Sequence, residues 1–442
     1  MSSASNTLYI EPTFNSNKFR SEFRIPESNG VYRSDMRLTG VGFIKNDAGN
    51  DKYNLLTGAY GVISSIEIQS GAQTLDQVRN FSQYVAFKNL LHSNNEQTGV
   101  FRFLSKSGLG YVADGDVSFE ADGDPIVDGA NGTKITNQVP TYGNTLFGSD
   151  AAARDKNTNF AWLDLRECLG FLRESPYVPT NVYPDLRIVV NYESVAQLQN
   201  VVQTANINTS TEKPLLIVEY EPDVNVAMAL MNQYEGVSFN SVEHDSVILN
   251  ASGVAQNTTA NQEESYLLKG FNDKFVEKVV IVNTPLDQAS WRTGNNNIPS
   301  SNLGSVAQLD WAIQLRVNGQ ELFPSPSGYL MGKNRRLGKL VDSWGSTNIA
   351  PFQNMCGNSG GPDKIYAVDM RGTEGQMDYT GFRLDDVIRE MKLTTSRTAV
   401  GGGDADPATN PGLRQSLRLN IYAISRKNIT PLSNGQILIR YV

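Results

Sequence analysis

The chain has 442 residues, 39% hydrophobic and 19% charged, with a formal net charge of −8. That length exceeds what one hydrophobic core usually supports and points to two domains, while the apolar content excludes a disordered chain. The negative charge argues against wrapping nucleic acid, whose phosphates are neutralised by Lys and Arg.

No stretch approaches the ~18 consecutive apolar residues of a membrane-spanning helix. Residues 1–7 have neither a basic patch nor an apolar core, so no secretory signal is expected and retention in the cytosol or nucleus is the simplest reading. Cys168 and Cys356 are the only two cysteines. They read as reduced, buried thiols, because secreted disulfide frameworks use more. With 38 Gly and 18 each of Tyr and Phe, turn formers alternate with short runs of aromatic and β-branched residues, which indicates mostly β structure.

In chain order, 8–10, 19–25 and 36–41 are strand candidates, with a turn at Pro26 and 28–30. At 62–68 the alternation is clean: Ile66 and Ile68 face one way, and Ser65, Glu67 and Gln69 the other, as a half-buried strand requires. Gly71 breaks the run. Leu75, Val78, Phe81 and Val85 then fall three or four apart, so an amphipathic helix is expected from Thr74 onward.

The segment 113–134 is rich in Gly and Asp, with Asp114, Asp116, Asp122, Asp124 and Asp128. Their spacing does not match the twelve-residue calcium loop, so an exposed acidic loop is the preferred reading over an ion site. Residues 162–172 read as a short helix that Pro176 and Pro179 terminate. Two strong strands follow, at 186–192 and 215–220. The segment 223–234, with Val224, Ala227, Met228 and Met231 on one face, reads as a linking helix.

The plan then restarts. Strands are expected at 247–249, 266–268, 276–282 and 311–317, the last followed by an Asn318-Gly319 turn and a second amphipathic stretch through Leu330, Leu337, Leu340, Val341 and Trp344. Lys333, Arg335, Arg336 and Lys339 on that stretch form the densest basic cluster, read as a solvated face ahead of a phosphate or acidic-partner patch. A strand at 364–370, a helix at 382–391, and strands at 417–423 and 436–442 complete the chain. Each half thus shows an alternating strand with a turn, an amphipathic helix, a second helix opening Leu-Asp (Leu163-Asp164 and Leu384-Asp385), and two terminal strands opening Leu-Arg (Leu186-Arg187 and Leu417-Arg418). The second terminal strand ends in Tyr in both (Tyr220 and Tyr441).

This is repetition of architecture rather than of residues. The expected fold is all-β, two consecutive eight-stranded jelly rolls with short helices in the connections. The first spans 1–222 with a long loop around 104–160, a linker helix occupies 223–235, and the second roll spans 236–442 with loops around 345–363 and 397–412.

The strand and turn at 66–71 with its echo at 317–320, the 162–172 segment running into 186–192, and the closing strand at Val442 resemble the double jelly-roll major capsid proteins of icosahedral double-stranded DNA viruses, notably those of virophages, Polinton-like viruses and adintoviruses. The resemblance implies a virion protein without catalysis or cofactor. It implies three chains forming a pseudo-hexagonal capsomer, and capsomers tiling a shell with penton and minor or cement proteins, with no direct nucleic-acid contact expected. A spike or carbohydrate-binding β-module is the alternative, since jelly rolls serve that purpose too.

One local motif points elsewhere. Cys356-Gly357-Asn358-Ser359-Gly360-Gly361-Pro362 matches the nucleophile motif of trypsin-like serine proteases, whose glycines shape an oxyanion hole. The only histidines available as a base are His92 and His244, and neither has the sequence context that the protease family requires. A Gly/Asn/Ser loop between strands is the preferred reading. No catalytic, cofactor-binding or metal residue is therefore expected. Six Asn-X-Ser/Thr triplets (Asn80, Asn131, Asn208, Asn250, Asn257, Asn428) are expected to stay unmodified in a chain without a secretory signal.

Overall fold

The computed structural model describes residues 6–16, 19–27, 30–41, 58–91, 117–119, 125–127, 161–193, 214–249, 260–285, 309–321, 365–369, 388–399, 417–432 and 436–441. The amphipathic stretch at 330–344 with its basic cluster, the loop 345–362 and most of the Asp-rich loop lie outside them.

The first half carries β1 (Asn6–Ile10), β2 (Phe14–Ser16), β3 (Arg20–Arg24), β4 (Val31–Arg33), β5 (Arg37–Val41), β6 (Ile63–Ser70), β7 (Gln73–Val78) and α1 (Phe81–Leu91). A small hairpin, β8 (Val117–Phe119) and β9 (Pro125–Val127), precedes β10 (Ala161–Asp164), α2 (Gly170–Glu174), β11 (Tyr177–Pro179), β12 (Leu186–Tyr192) and β13 (Leu215–Tyr220). After α3 (Val224–Gln233) come β14 (Val237–Leu249), β15 (Ala260–Leu267), β16 (Val276–Pro285), β17 (Leu309–Val317) and β18 (Gln320–Glu321). The chain ends with β19 (Ile365–Asp369), β20 (Met391–Ala399), β21 (Leu417–Pro431) and β22 (Ile437–Tyr441).

Pairing reduces this inventory to one plan used twice. In the first half β13 pairs with β1 on one side and with β5 and β4 on the other, and these pair with β10 and β11 respectively. β4–β5 and β10–β11 are two interrupted strands lying antiparallel. The second sheet runs β2-β3-β12-β6-β7. In the second half the sheets run β14-β21-β16-β19 and β15-β20-β17-β18. If the eight principal strands of each half are counted in chain order, both halves read 1-8-3-6 in one sheet and 2-7-4-5 in the other. That is the jelly-roll order, in which late strands return to lie between early ones.

By contacts, the chain divides into one unit of residues 1–89, 93–242 and 426–442 and a second of 90–92 and 243–425. β14 therefore leaves the first unit after Val242, and β21 re-enters it at Arg426.

The core of the first half is read directly from alternation. Ile63, Ile66, Ile68 and Ser70 of β6 are buried while Glu67 and Gln69 are not, and β12 alternates Leu186, Ile188, Val190 inward. Phe23 of β3 and Leu38 of β5 are fully buried. β12 is buried also at Val189, as in a strand covered on both faces.

The structure corrects three expectations. The segment after Gly71 is not helical: β7 hairpins back on β6, and the helix begins only at Phe81. Register slips there, with Ile68 opposite Asp76 and Gln69 opposite Thr74, so Leu75 is the extra residue of a bulge. The bulge breaks the two-residue alternation and leaves Leu75, Asp76 and Val78 all buried, which mimics helical spacing. Second, Trp162 to Asp164 is strand β10, followed by a 3-10 turn at Leu165–Glu167 and then α2. Third, the predicted helix at 382–391 ends in non-helical residues 388–390, and Met391 opens β20.

This last point shifts the repeat by one strand. β12 matches β20, and β13 matches β21, so the Leu-Arg openings of β12 and β21 are not equivalent positions.

Two close approaches fix the chain path. A Cβ on Gly170 would lie 2.1 Å from the Asn240 carbonyl oxygen, and one on Gly236, at φ +114°, 2.2 Å from that of Ile429. Gly71 is also in the left-handed region at φ +55° but has nothing within 4 Å. Gly170→Ala is expected to cost ~1–3 kcal/mol through forced backbone displacement. Gly71→Ala should cost about 1 kcal/mol from backbone strain alone. Thermal unfolding of the two variants checks the order: Gly170→Ala should melt lower.

Candidate functional site

The first unit holds a buried polar centre that the bulge creates. Asp76 is fully buried. Its carboxylate accepts from the Gln77 backbone N–H at 2.9 Å, the Ser241 hydroxyl at 3.0 Å and the Phe171 backbone N–H at 3.1 Å. Phe171 lies in the first turn of α2, whose N-cap residue Leu169 has no side chain to offer. Asp76 thus caps that turn from a distant strand.

Burial pushes the Asp76 carboxyl above the usual carboxylate range, and the Lys427 ammonium and these three donors pull against it. Lys427 is itself 6% exposed and sits 5.6 Å from the centre of the Tyr441 ring. Four separate segments meet at this carboxylate or in its field, so the centre fixes how strand ends, a turn and a bulge fit together. Beside it, Phe171, Tyr183, Tyr234 and Phe239 pack edge to face at ring separations of 5.3 to 5.8 Å. The Tyr183 and Tyr234 hydroxyls hydrogen-bond at 2.8 Å.

A second ionic contact ties α1 to the turn before α2. Lys88 donates to a Glu167 carboxylate oxygen, and to the Glu167 backbone carbonyl at 3.2 Å. Burial and the Arg173 charge lower the Lys88 pKa, with Glu167 opposing them. Burial acts to raise the Glu167 pKa, but Lys88, Arg173 and Arg166 outweigh it and hold the carboxyl below its usual value. Cys168 is buried as expected, its thiol pushed up by burial.

The contacts just described tie these groups to the fold. His244, a candidate base, lies in β14; its Nε2 is 3.1 Å from Asn420 Oδ1 and its ring packs 5.0 Å from that of Tyr422. Ser359, Cys356 and His92 lie outside the described residues, as do Asp114, Asp116, Asp122, Asp124 and Asp128. Among the described residues no group of three His, Cys, Asp or Glu is placed to hold a metal, and no helix is long and apolar enough to cross a membrane.

What the described surface offers instead is exposed apolar side chains. On α3, Val224, Val226 and Met228 are 69%, 41% and 57% exposed, and only Ala227 is buried. Tyr9, Phe14 and Phe19 project from β1 and from the β2–β3 hairpin at 53–67% exposure. The sequence marked α3 as a linking helix, and it is helical over Val224–Gln233. Which face is covered is decided by the tertiary fold.

No family model and no curated protein matches the chain. Solved structures do. PBCV-1 VP54, fitted into a cryo-EM reconstruction of the virophage Sputnik, aligns over 100% of this chain and 98% of its own length, with TM-score 0.59 and 14% identity. The mavirus major capsid protein aligns over 98% and 90%, with TM-score 0.54 and 8% identity. The faustovirus major capsid protein aligns over 97% and 91%, with TM-score 0.52 and 8% identity. The chain has the double jelly-roll fold of viral major capsid proteins.

Two predictions follow from the buried contacts. Asp76→Ala leaves the Gln77 and Phe171 backbone N–H groups and the Ser241 hydroxyl without their acceptor, and is expected to cost ~2–4 kcal/mol, read as a lowered urea midpoint. Glu167 has a depressed folded pKa, so its contribution is present above pH 4.5 and is lost as pH falls through the folded value. Glu167→Gln should therefore lower stability at pH 7 by about 1.5 kcal/mol given its partial exposure, read as a lower Tm. The two melting curves should converge in acid.

Proposed function

We propose that the chain is a structural capsid protein of an icosahedral double-stranded DNA virus, acting without catalysis or cofactor. Three copies associate into a pseudo-hexagonal capsomer, and capsomers tile the shell alongside penton and minor capsid proteins. Residues 1–222 and 236–442 are the two rolls, joined by the linker helix within 223–235. The protein resides in the virion, and its net charge of −8 leaves genome contact to other components.

The observation that carries this reading is the strand order. Eight strands in the order 1-8-3-6 and 2-7-4-5 occur twice, in the same chain direction. Proteins of that fold matching this chain nearly end to end include two major capsid proteins. A chain built twice from one plan supplies six similar edges when three copies close, which is what a near-hexagonal lattice needs.

Light scattering on the purified chain tests it. The expected mass is three times 48.5 kDa, with six-lobed particles in negative stain. A monomer at high concentration overturns the trimer. Fluorophosphonate labelling should leave Ser359 unmodified, and labelling there would restore the protease reading.

A further inference from the structure

We infer that residues 237–242, 426–431 and 437–441 form a strap that locks the first unit over Asp76, and that this strap opens as one piece while the sheets of the first roll stay closed. The inference concerns the first unit alone and stands apart from the capsomer reading.

The strap is built from the start of β14, the end of β21 and β22. None of these is among the strands that order the first roll, yet their contacts assign them to the first unit. β22 pairs with β21 from Tyr441 opposite Lys427 to Ile437 opposite Pro431. β14 is the neighbour of β21 on its other side. There Arg426 Nε donates to the Ser238 hydroxyl oxygen at 3.2 Å, and Gly236 lies against the Ile429 carbonyl.

This three-stranded piece has one covered face. Val237, Phe239 and Ser241 are buried, while Ser238 and Asn240 between them are exposed. Lys427, Ile429 and Ile437 are buried on the neighbouring strands, with Arg426 and Arg440 exposed. The covered face meets α2 and β7. The Phe239 ring packs edge to face on Phe171 at 5.8 Å. The Asn240 carbonyl approaches Gly170 so closely that no Cβ fits between them. The Ser241 hydroxyl donates to Asp76 at 3.0 Å, and the Lys427 ammonium lies in the field of that carboxylate. Asp76 also holds the Phe171 N–H of α2, so one side chain of β7 joins the strap to the helix beneath it.

Two physical arguments make the strap a cooperative unit of its own. A two-stranded hairpin alone is marginally stable at best in water, so the β21–β22 ladder beyond Arg426 persists only while its inner face is covered. Undocking and loss of the ladder are then one event, as in a local unfolding unit. Opening also returns water to Asp76. The carboxylate loses the Ser241 hydroxyl but regains hydration and keeps the Gln77 and Phe171 N–H donors. The catch is thus released without stranding a buried charge.

Hydrogen exchange followed by mass spectrometry on the full chain tests this. Peptides covering 237–242 and 427–441 are expected to exchange together, and faster than the β12 peptide covering 186–192. Ser241→Ala should speed both strap peptides about five-fold, the loss of one hydrogen bond, and leave β12, β16 and β20 unchanged. Ile429→Ala should speed them further. Exchange of 427–441 without 237–242 overturns the strap as a unit. Exchange of both at the β12 rate shows that they open only with the whole roll, and also overturns it. Strap exchange unchanged by Ser241→Ala removes Asp76 as the catch. If Ile429→Ala fails to fold, the wild-type pattern and Ser241→Ala decide.

Discussion

Everything in the first half depends on two late strands finding early ones. β13 must pair with β1, some 210 residues behind it, and β12 must slot between β3 and β6. Until they do, each sheet is only separate pairs, β2–β3 and β6–β7 in one and β5–β10 and β4–β11 in the other, because β1, β3 and β6 have no ladder among themselves. The free-energy cost of closing such distances grows only logarithmically with loop length. The long excursions between strands therefore tax stability less than they slow folding, since non-local pairing has to precede its reward. A fold whose centre is fixed by a few non-local ladders tolerates large insertions at strand ends.

The buried carboxylate of Asp76 shows how polar groups are used inside such a frame. Placing it there costs desolvation. The bulge at Leu75 aims the carboxylate inward, and three donors with Lys427 in its field offset part of that cost. An apolar residue at the same point would leave the Phe171 amide and the Ser241 hydroxyl without their acceptor. The arrangement is specific rather than merely stabilising. Only one register of β7 on β6 presents Asp76 to α2, and a one-residue slip would turn it to the opposite face.

What could be read from residues alone follows the same physics. β12 and β13 were legible because strands covered on both faces become short continuous apolar runs, and α3 because Asp223 caps an uninterrupted helix-forming stretch. β7 was misread because a bulge gives Leu75 and Val78 a helical spacing. β20 was missed because its Met-Lys-Leu-Thr-Thr-Ser-Arg-Thr-Ala run carries little apolar alternation. Thr394 and Thr395 are buried there all the same, and the β17 and β15 ladders on either side hold the strand in place. Missing that one strand displaced the internal repeat by a strand while leaving the repeat itself visible. That Val224, Val226 and Met228 of α3 are exposed could not be anticipated, because the tertiary fold decides which sides of a helix are covered.

The two halves keep the strand order and vary what interrupts it. In the first, positions three and six are each broken, into β4 with β5 and β10 with β11, and the second break accommodates α2. In the second, β14 and β21 run 13 and 15 residues without interruption. Order is conserved because it is set by the non-local ladders, where a change would dismantle a sheet. Strand length and decoration vary because they are settled at the ends, where solvent accepts unpaired backbone groups. In the proposed trimer this yields six edges of like topology but unlike detail. The likeness lets the edges occupy a near-hexagonal outline. The difference gives each edge its own chemistry.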